Sequence, residues 1–169
     1  MNYFLIGMMG SGKTSLGKSL ANDIDYNFID LDGEIEKVAG IKINNIFDKY
    51  GEKYFRKLEV EISRKVIRNS ENNVIATGGG FPINENNFKW MKNIGTIIWL
   101  KASTETIFKR IRLSKDRPLL TNPSIQSIEG ILSKRMKYYQ RAKYHIDTNG
   151  KSLNTAVNTL IKEIKNNSL

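Results

Sequence analysis

The stretch "FLIGMMGSGKTSLG", residues 4 to 17, satisfies the pattern GxxxxGK[ST] through Gly7, Gly12, Lys13 and Thr14, and Gly10 adds a further glycine. It constrains the fold because an apolar strand must feed a helix across a loop of phosphate size. The glycines let the backbone curl until successive N–H groups face phosphate oxygens, and the helix N-terminus adds favourable dipole charge. In that arrangement Lys13 reaches the β- and γ-phosphates and the Thr14 hydroxyl binds Mg²⁺, with Gly10, Ser11, Gly12 and Ser15 completing the nucleotide loop. A chance match in a chain of this size is on the order of one in 200. The motif predicts a nucleoside triphosphate, but many reactions use it.

The remainder alternates strand and helix. "NYFLIG" (2–7) reads as a buried strand followed by a helix over 13–22, and "YNFIDLD" (26–32) as a second strand ending in acids. Residues 33–69 carry helical patterns interrupted near Gly40 and Gly51, and "NNVIATGGG" (72–80) is a third strand ending in a glycine turn. A helix over 84–92, a strand "GTIIWL" (95–100) and a helix capped by Ser103 follow. "LSKDRPLLTNPS" (113–124), with two prolines and mixed charge, predicts a mobile loop. A helix over 125–143, a strand "YHIDTN" (144–149) and a closing helix over 152–166 complete the chain, the last with Leu153, Val157, Leu160, Ile161 and Ile164 on one face. The expected fold class is α/β: a three-layer α/β/α sandwich with a central five-stranded parallel sheet, formed by a single domain over 1–169.

Composition narrows the function. With 40% hydrophobic and 26% charged residues and no apolar run near the roughly 18–20 residues of a membrane span, the chain suits a soluble globular protein with no membrane partner. The N-terminus has no charged segment before its short apolar run, and cysteine is absent, which removes a disulfide framework and a cysteine nucleophile. A cytoplasmic enzyme is the expectation. The 27 Lys and Arg against 17 Asp and Glu give a net charge of +10, which raises the question of nucleic acid. The lysines are scattered rather than clustered with aromatics, so they read as a solvated surface and no nucleic-acid partner is expected. His145, the only histidine, reads as structural.

A chain this short leaves no room for a motor core or a second lobe, and no GTPase-like base-reading motif is found, which favours a small-molecule kinase. Asp30 and Asp32 alternate about Leu31 at the expected end of the second strand, so an extended backbone would project both carboxylates to one side. One acid would serve the water shell of Mg²⁺ and the other a hydroxyl about to attack phosphorus. The alternative is that Asp32 merely caps the following helix.

"GMMGSGKT", "FIDLDGEIE", "IFDKYGEKYFRKLE", "VIATGGG", "DRPLL" and "KRMKYYQRA" occur in order and at the approximate spacing of the shikimate kinase family, which the chain resembles over residues 3–164. The resemblance implies a P-loop kinase fold, a helical substrate-binding region over about 32–62, a mobile lid over about 112–124 and ATP-dependent phosphorylation of the 3-hydroxyl of shikimate in aromatic amino-acid biosynthesis. It implies Asp30 beside Mg²⁺ and Asp32 on the shikimate hydroxyls as candidate base. Arg56 and Arg135 match substrate-binding arginines, whose planar guanidinium suits a carboxylate. Gly78, Gly79 and Gly80 match the loop whose N–H groups approach the substrate, and Arg117 the lid arginine that neutralises charge on the transferring phosphoryl group. Catalysis then falls to Lys13, Asp32 and Arg117. Arg110 matches one adenine contact and Lys151 a second, a position where the family often has arginine. Phe47 and Phe55 match apolar pocket residues, with core packing as the alternative. Phe81 and Pro82 depart from the family's smaller residues and predict a different path after the triple glycine. A monomer is expected. The rival readings are a gluconate or nucleoside monophosphate kinase and, more distantly, a non-catalytic nucleic-acid-binding P-loop protein.

Overall fold

The computed structural model describes residues 1–68, 71–112 and 124–166. In chain order these form β1 (Asn2–Ile6), α1 (Lys13–Asp23), β2 (Asn27–Asp30), α2 (Leu31–Ala39), α3 (Ile43–Ile67), β3 (Asn73–Ala76), a 3-10 turn (Phe81–Ile83), α4 (Glu85–Ile94), β4 (Gly95–Lys101), α5 (Thr104–Arg112), α6 (Ile125–Tyr139), β5 (Tyr144–Asp147) and α7 (Leu153–Asn166). The five strands make one parallel sheet in the order β2-β3-β1-β4-β5. All of β1 is buried, as a central parallel strand covered on both faces requires. Its alternation divides the core. Tyr3 and Leu5 pack with Leu16 and Leu20 of α1 and Val157 and Leu160 of α7, while Phe4 and Ile6 pack with Ile67, Met91, Ile107 and Ile128 of α3 to α6. The expected three layers and parallel sheet are therefore present. The sheet order reverses at β1, and the crevice beyond the carboxyl ends of strands at such a point is where α/β sheets receive ligands.

A smaller cluster of Ile35, Ile46, Phe55 and Ile62 joins α2 to α3 beside that crevice. The helical region divides where the glycines predicted: Gly40 ends α2, its N–H donating to Glu36 O at 2.9 Å, and Gly51 kinks α3 with φ 78° and ψ 170°. Ser103 caps α5 as expected, its Oγ accepting the Thr106 N–H at 3.2 Å.

Three expectations are corrected. The second strand stops at Asp30, and Leu31 already begins α2, with Asp30 at the N-cap in extended backbone. Asp32 and Glu34 occupy the first helical turn, where carboxylates complement the dipole, and Leu31 is fully buried, so local electrostatics and packing start the helix before Gly33. The same-side projection from an extended strand therefore fails, as does Asp32 as the cap. The 125–143 helix ends at Tyr139, because Lys143 N–H donates to Ile97 O at 2.9 Å and draws the chain toward β5. On α7 Leu153 is 42% exposed, and Ala156 joins Val157 and Leu160 on the buried face instead. Arg117, Leu119, Leu120 and residues 113–123 of the expected lid lie outside the described residues. Among the described residues no helix is long and apolar enough to cross a membrane.

Candidate active site

A cavity of about 1040 Å³ is lined by residues at the carboxyl ends of β2 and β3 and in the loop between β1 and α1. That volume is at the upper end for a single-ligand pocket and admits a nucleotide beside a small acceptor. Gly10, Ser11, Gly12, Lys13, Thr14 and Ser15 line one half. Gly12 is the N-cap of α1 at φ 96°, a left-handed conformation that a residue with a Cβ resists, and no side chain caps this end. With this end uncapped, the dipole of α1 favours an anion there. Lys13 Nζ donates to the carbonyl oxygens of Gly7 at 3.0 Å and Met8 at 2.9 Å, which straps the loop with an ammonium inside it.

The Thr14 hydroxyl donates to Asp30 Oδ2 at 2.9 Å, so the P-loop and the end of β2 bring together two hard oxygen donors of the kind Mg²⁺ prefers. Arg110 and Lys151 line the same half. The Arg110 guanidinium donates to Gly10 O at 3.0 Å and Thr148 O at 2.8 Å. A third bond, to the Thr148 hydroxyl at 3.3 Å, completes the anchoring of the guanidinium.

Asp32, Arg56, Gly78, Gly79, Gly80 and Arg135 line the other half. None of the three glycines has a positive φ, so a special turn does not explain them. Close approach does. A Cβ on Gly78 would lie 2.6 Å from Glu59 Oε1 and 3.0 Å from Asp32 Oδ1, one on Gly79 2.8 Å from an Arg135 nitrogen, and one on Gly80 2.8 Å from Arg56 Cζ. The triple glycine gives the charged side chains of α2, α3 and α6 room to converge on one turn. Phe81 and Pro82 beyond it are buried in the 3-10 turn.

Sequence reasoning assigned no role to Glu59, although it stands in the quoted "YFRKLE". It lies three residues after Arg56, on the same helix face, and that spacing was the available signal. Its Oε2 accepts from Arg56 at 2.8 Å, and the residue is 1% exposed. Burial pushes its carboxyl up to about 7; Asp32 adds to the rise, while the Arg56 and Arg135 cations oppose it. Glu59 Oε1 has no hydrogen-bond partner among the described residues. Arg56 also donates to Glu52 Oε1 at 3.1 Å, so two carboxylates fix its fork.

Phe47 and Phe55 satisfy both readings offered for them: they line the cavity, and their rings meet at 4.6 Å within the small apolar cluster. His145 sits edge-on to Trp99 at 5.2 Å, with Nε2 3.1 Å from Ala142 O, a packing role.

The P-loop at the sheet's reversal, with a charged cluster beside it in the same cavity, defines a P-loop kinase with a small-molecule acceptor site. The chain belongs to the shikimate kinase family, whose sequence profile matches residues 9–165. A shikimate kinase from Persephonella marina is 42% identical over 164 residues, covering 97% of this chain and 99% of that protein. The structure of shikimate kinase from Acinetobacter baumannii in complex with shikimate superposes with a TM-score of 0.93 at 33% identity, over 99% of this chain and 94% of that one. A gluconokinase from Sinorhizobium meliloti gives a TM-score of 0.64 at 13% identity, over 99% of this chain and 97% of that one, which is likeness of fold alone.

Proposed function

We propose that the chain transfers the γ-phosphoryl group of ATP to the 3-hydroxyl of shikimate, giving shikimate 3-phosphate and ADP in aromatic amino-acid biosynthesis. Two arginines and a turn of three glycines converge beside the P-loop, and this observation carries the reading. They suit a small acceptor with a carboxylate better than a nucleoside base. Membership of the shikimate kinase family supports the same acceptor.

ATP lies on the P-loop, with Arg110 and Lys151 toward the adenine. Thr14 and Asp30 would hold Mg²⁺, which would supply charge neutralisation at the phosphates. Shikimate binds with its carboxylate on Arg56 and Arg135 and its hydroxyls on Asp32, against the N–H groups of the triple glycine. Asp32, on the first turn of α2, orients the 3-hydroxyl and accepts its proton as oxygen attacks phosphorus in line. Lys13 stabilises charge on the phosphoryl oxygens, a role that the family resemblance gives to Arg117 as well. The protein acts as a cytoplasmic monomer without a nucleic-acid or membrane partner.

³¹P NMR of the product tests this. The expected product carries phosphate at C3. Asp32→Asn is expected to lose turnover by about 100-fold or more while binding ATP normally by calorimetry. Phosphate on another hydroxyl, or an unchanged rate in the Asn variant, would contradict the assignment.

A further inference from the structure

Tyr139 lies one helical turn beyond Arg135 on α6, fully buried, and does not line the cavity. Its hydroxyl donates to the Gly79 carbonyl at 2.6 Å. The neighbouring carbonyls are held as well: Gly78 O accepts from Phe81 N–H at 3.1 Å and Gly80 O from Ile83 N–H at 3.3 Å. Within a trans peptide unit the carbonyl of one residue and the N–H of the next point in opposite directions. Gly78 O and Gly79 O are drawn toward protein, so the N–H groups of Gly79 and Gly80 are turned the other way, toward the cavity. Neither N–H has an acceptor among the described residues.

We propose that Tyr139 is a positioning residue for the acceptor: its hydroxyl fixes the Gly79–Gly80 peptide plane so that the Gly80 N–H is aimed at the shikimate carboxylate beside Arg135. A glycine pair has no side chain to resist rotation about this plane, so the orientation needs an outside anchor. Tyr139 supplies one from the helix that delivers Arg135. A Cβ on Gly79 would stand 2.8 Å from the Arg135 nitrogen and 3.6 Å from the Tyr139 oxygen, so cation and anchor meet at one glycine. The ring is held in turn against Trp99 at 5.9 Å between centroids. Burial raises the phenol pKa and Arg135 opposes the rise, so the net shift upward keeps the hydroxyl a donor at neutral pH.

The proposal rests on the reading that Arg135 and the triple glycine hold the acceptor carboxylate, and three variants separate the two. Tyr139→Phe keeps the ring and removes the donor. It is expected to raise the KM for shikimate about tenfold, which corresponds to about 1.4 kcal/mol and the scale of one hydrogen bond, with kcat and the KM for ATP nearly unchanged. Leu160→Ala, a truncation in the core on the opposite face of the sheet, is expected to lower Tm and leave the KM for shikimate in place. Arg135→Ala should raise that KM further; if it does not, the carboxylate reading itself fails. A normal KM for shikimate in Tyr139→Phe overturns the proposal, as does an equal rise in the KM for ATP and for shikimate, the mark of general loosening. Should Tyr139→Phe fail to fold, 4-fluorophenylalanine at 139 fills the hydroxyl's space without a donor. Its KM for shikimate should rise about tenfold with the KM for ATP in place, and a normal KM for shikimate overturns the proposal.

Discussion

Glu59 is the residue at which physical chemistry adds most to the family pattern. In sequence it resembles any glutamate three residues from an arginine on a helix, a pairing that on a surface contributes little. Its burial follows from a non-local fact: the glycine turn after β3 packs onto α3 and removes the carboxyl from water. Between its ordinary pKa of 4.5 and the value of about 7 in the fold, the native state holds a proton that the unfolded chain has lost. Stability from this group is therefore full below pH 4.5, falls as pH rises and is gone above about 7, a change on the order of 3 kcal/mol. Glu59→Gln cannot titrate, so its Tm relative to wild type should climb between about pH 5 and about pH 8 in thermal melts. A difference that stays level across that range would show that Glu59 does not titrate there.

Among the elements, the P-loop and its helix were fully legible, since GxxxxGKT encodes both the turn and what the turn holds. The strand ending at Asp30 was less so. The alternation of Asp30, Leu31 and Asp32 fits a strand and a helix start equally well until burial of Leu31 and the dipole of α2 decide between them. Both acids nonetheless line the cavity, one from the strand end and one from the helix. The anchoring of Arg110 was not legible, because its partners Gly10 and Thr148 are distant in sequence and only the sheet brings them near. Arg110 joins α5 to the P-loop and to the end of β5, so Arg110→Ala should act on the nucleotide half alone. Saturation curves should show the KM for ATP raised about tenfold, the scale of one charge-assisted bond, with the KM for shikimate unchanged. An equal rise in both would mean that the two halves are not independent.

For the whole molecule, the alternation of strands and helices yielded the layers and the parallel sheet, because each short apolar run must be covered on both faces. The convergence of α2, α3 and α6 on one glycine turn could not be read from any local pattern, since it depends on how those helices cross the ends of the strands. A net charge of +10 fits this architecture without invoking nucleic acid, as both proposed substrates are anions. The central claim is that Arg56 and Arg135 select the acceptor through its carboxylate. ADP release should therefore be measured with ATP, Mg²⁺ and, in turn, shikimate, its methyl ester, gluconate, a nucleoside monophosphate or no acceptor. Shikimate alone should drive rapid release, with the ester about 100-fold or more lower in kcat/KM because its neutral head cannot engage two guanidinium groups. Equal rates for shikimate and its ester, or a preference for another acceptor, would contradict that claim and reassign the charged pocket.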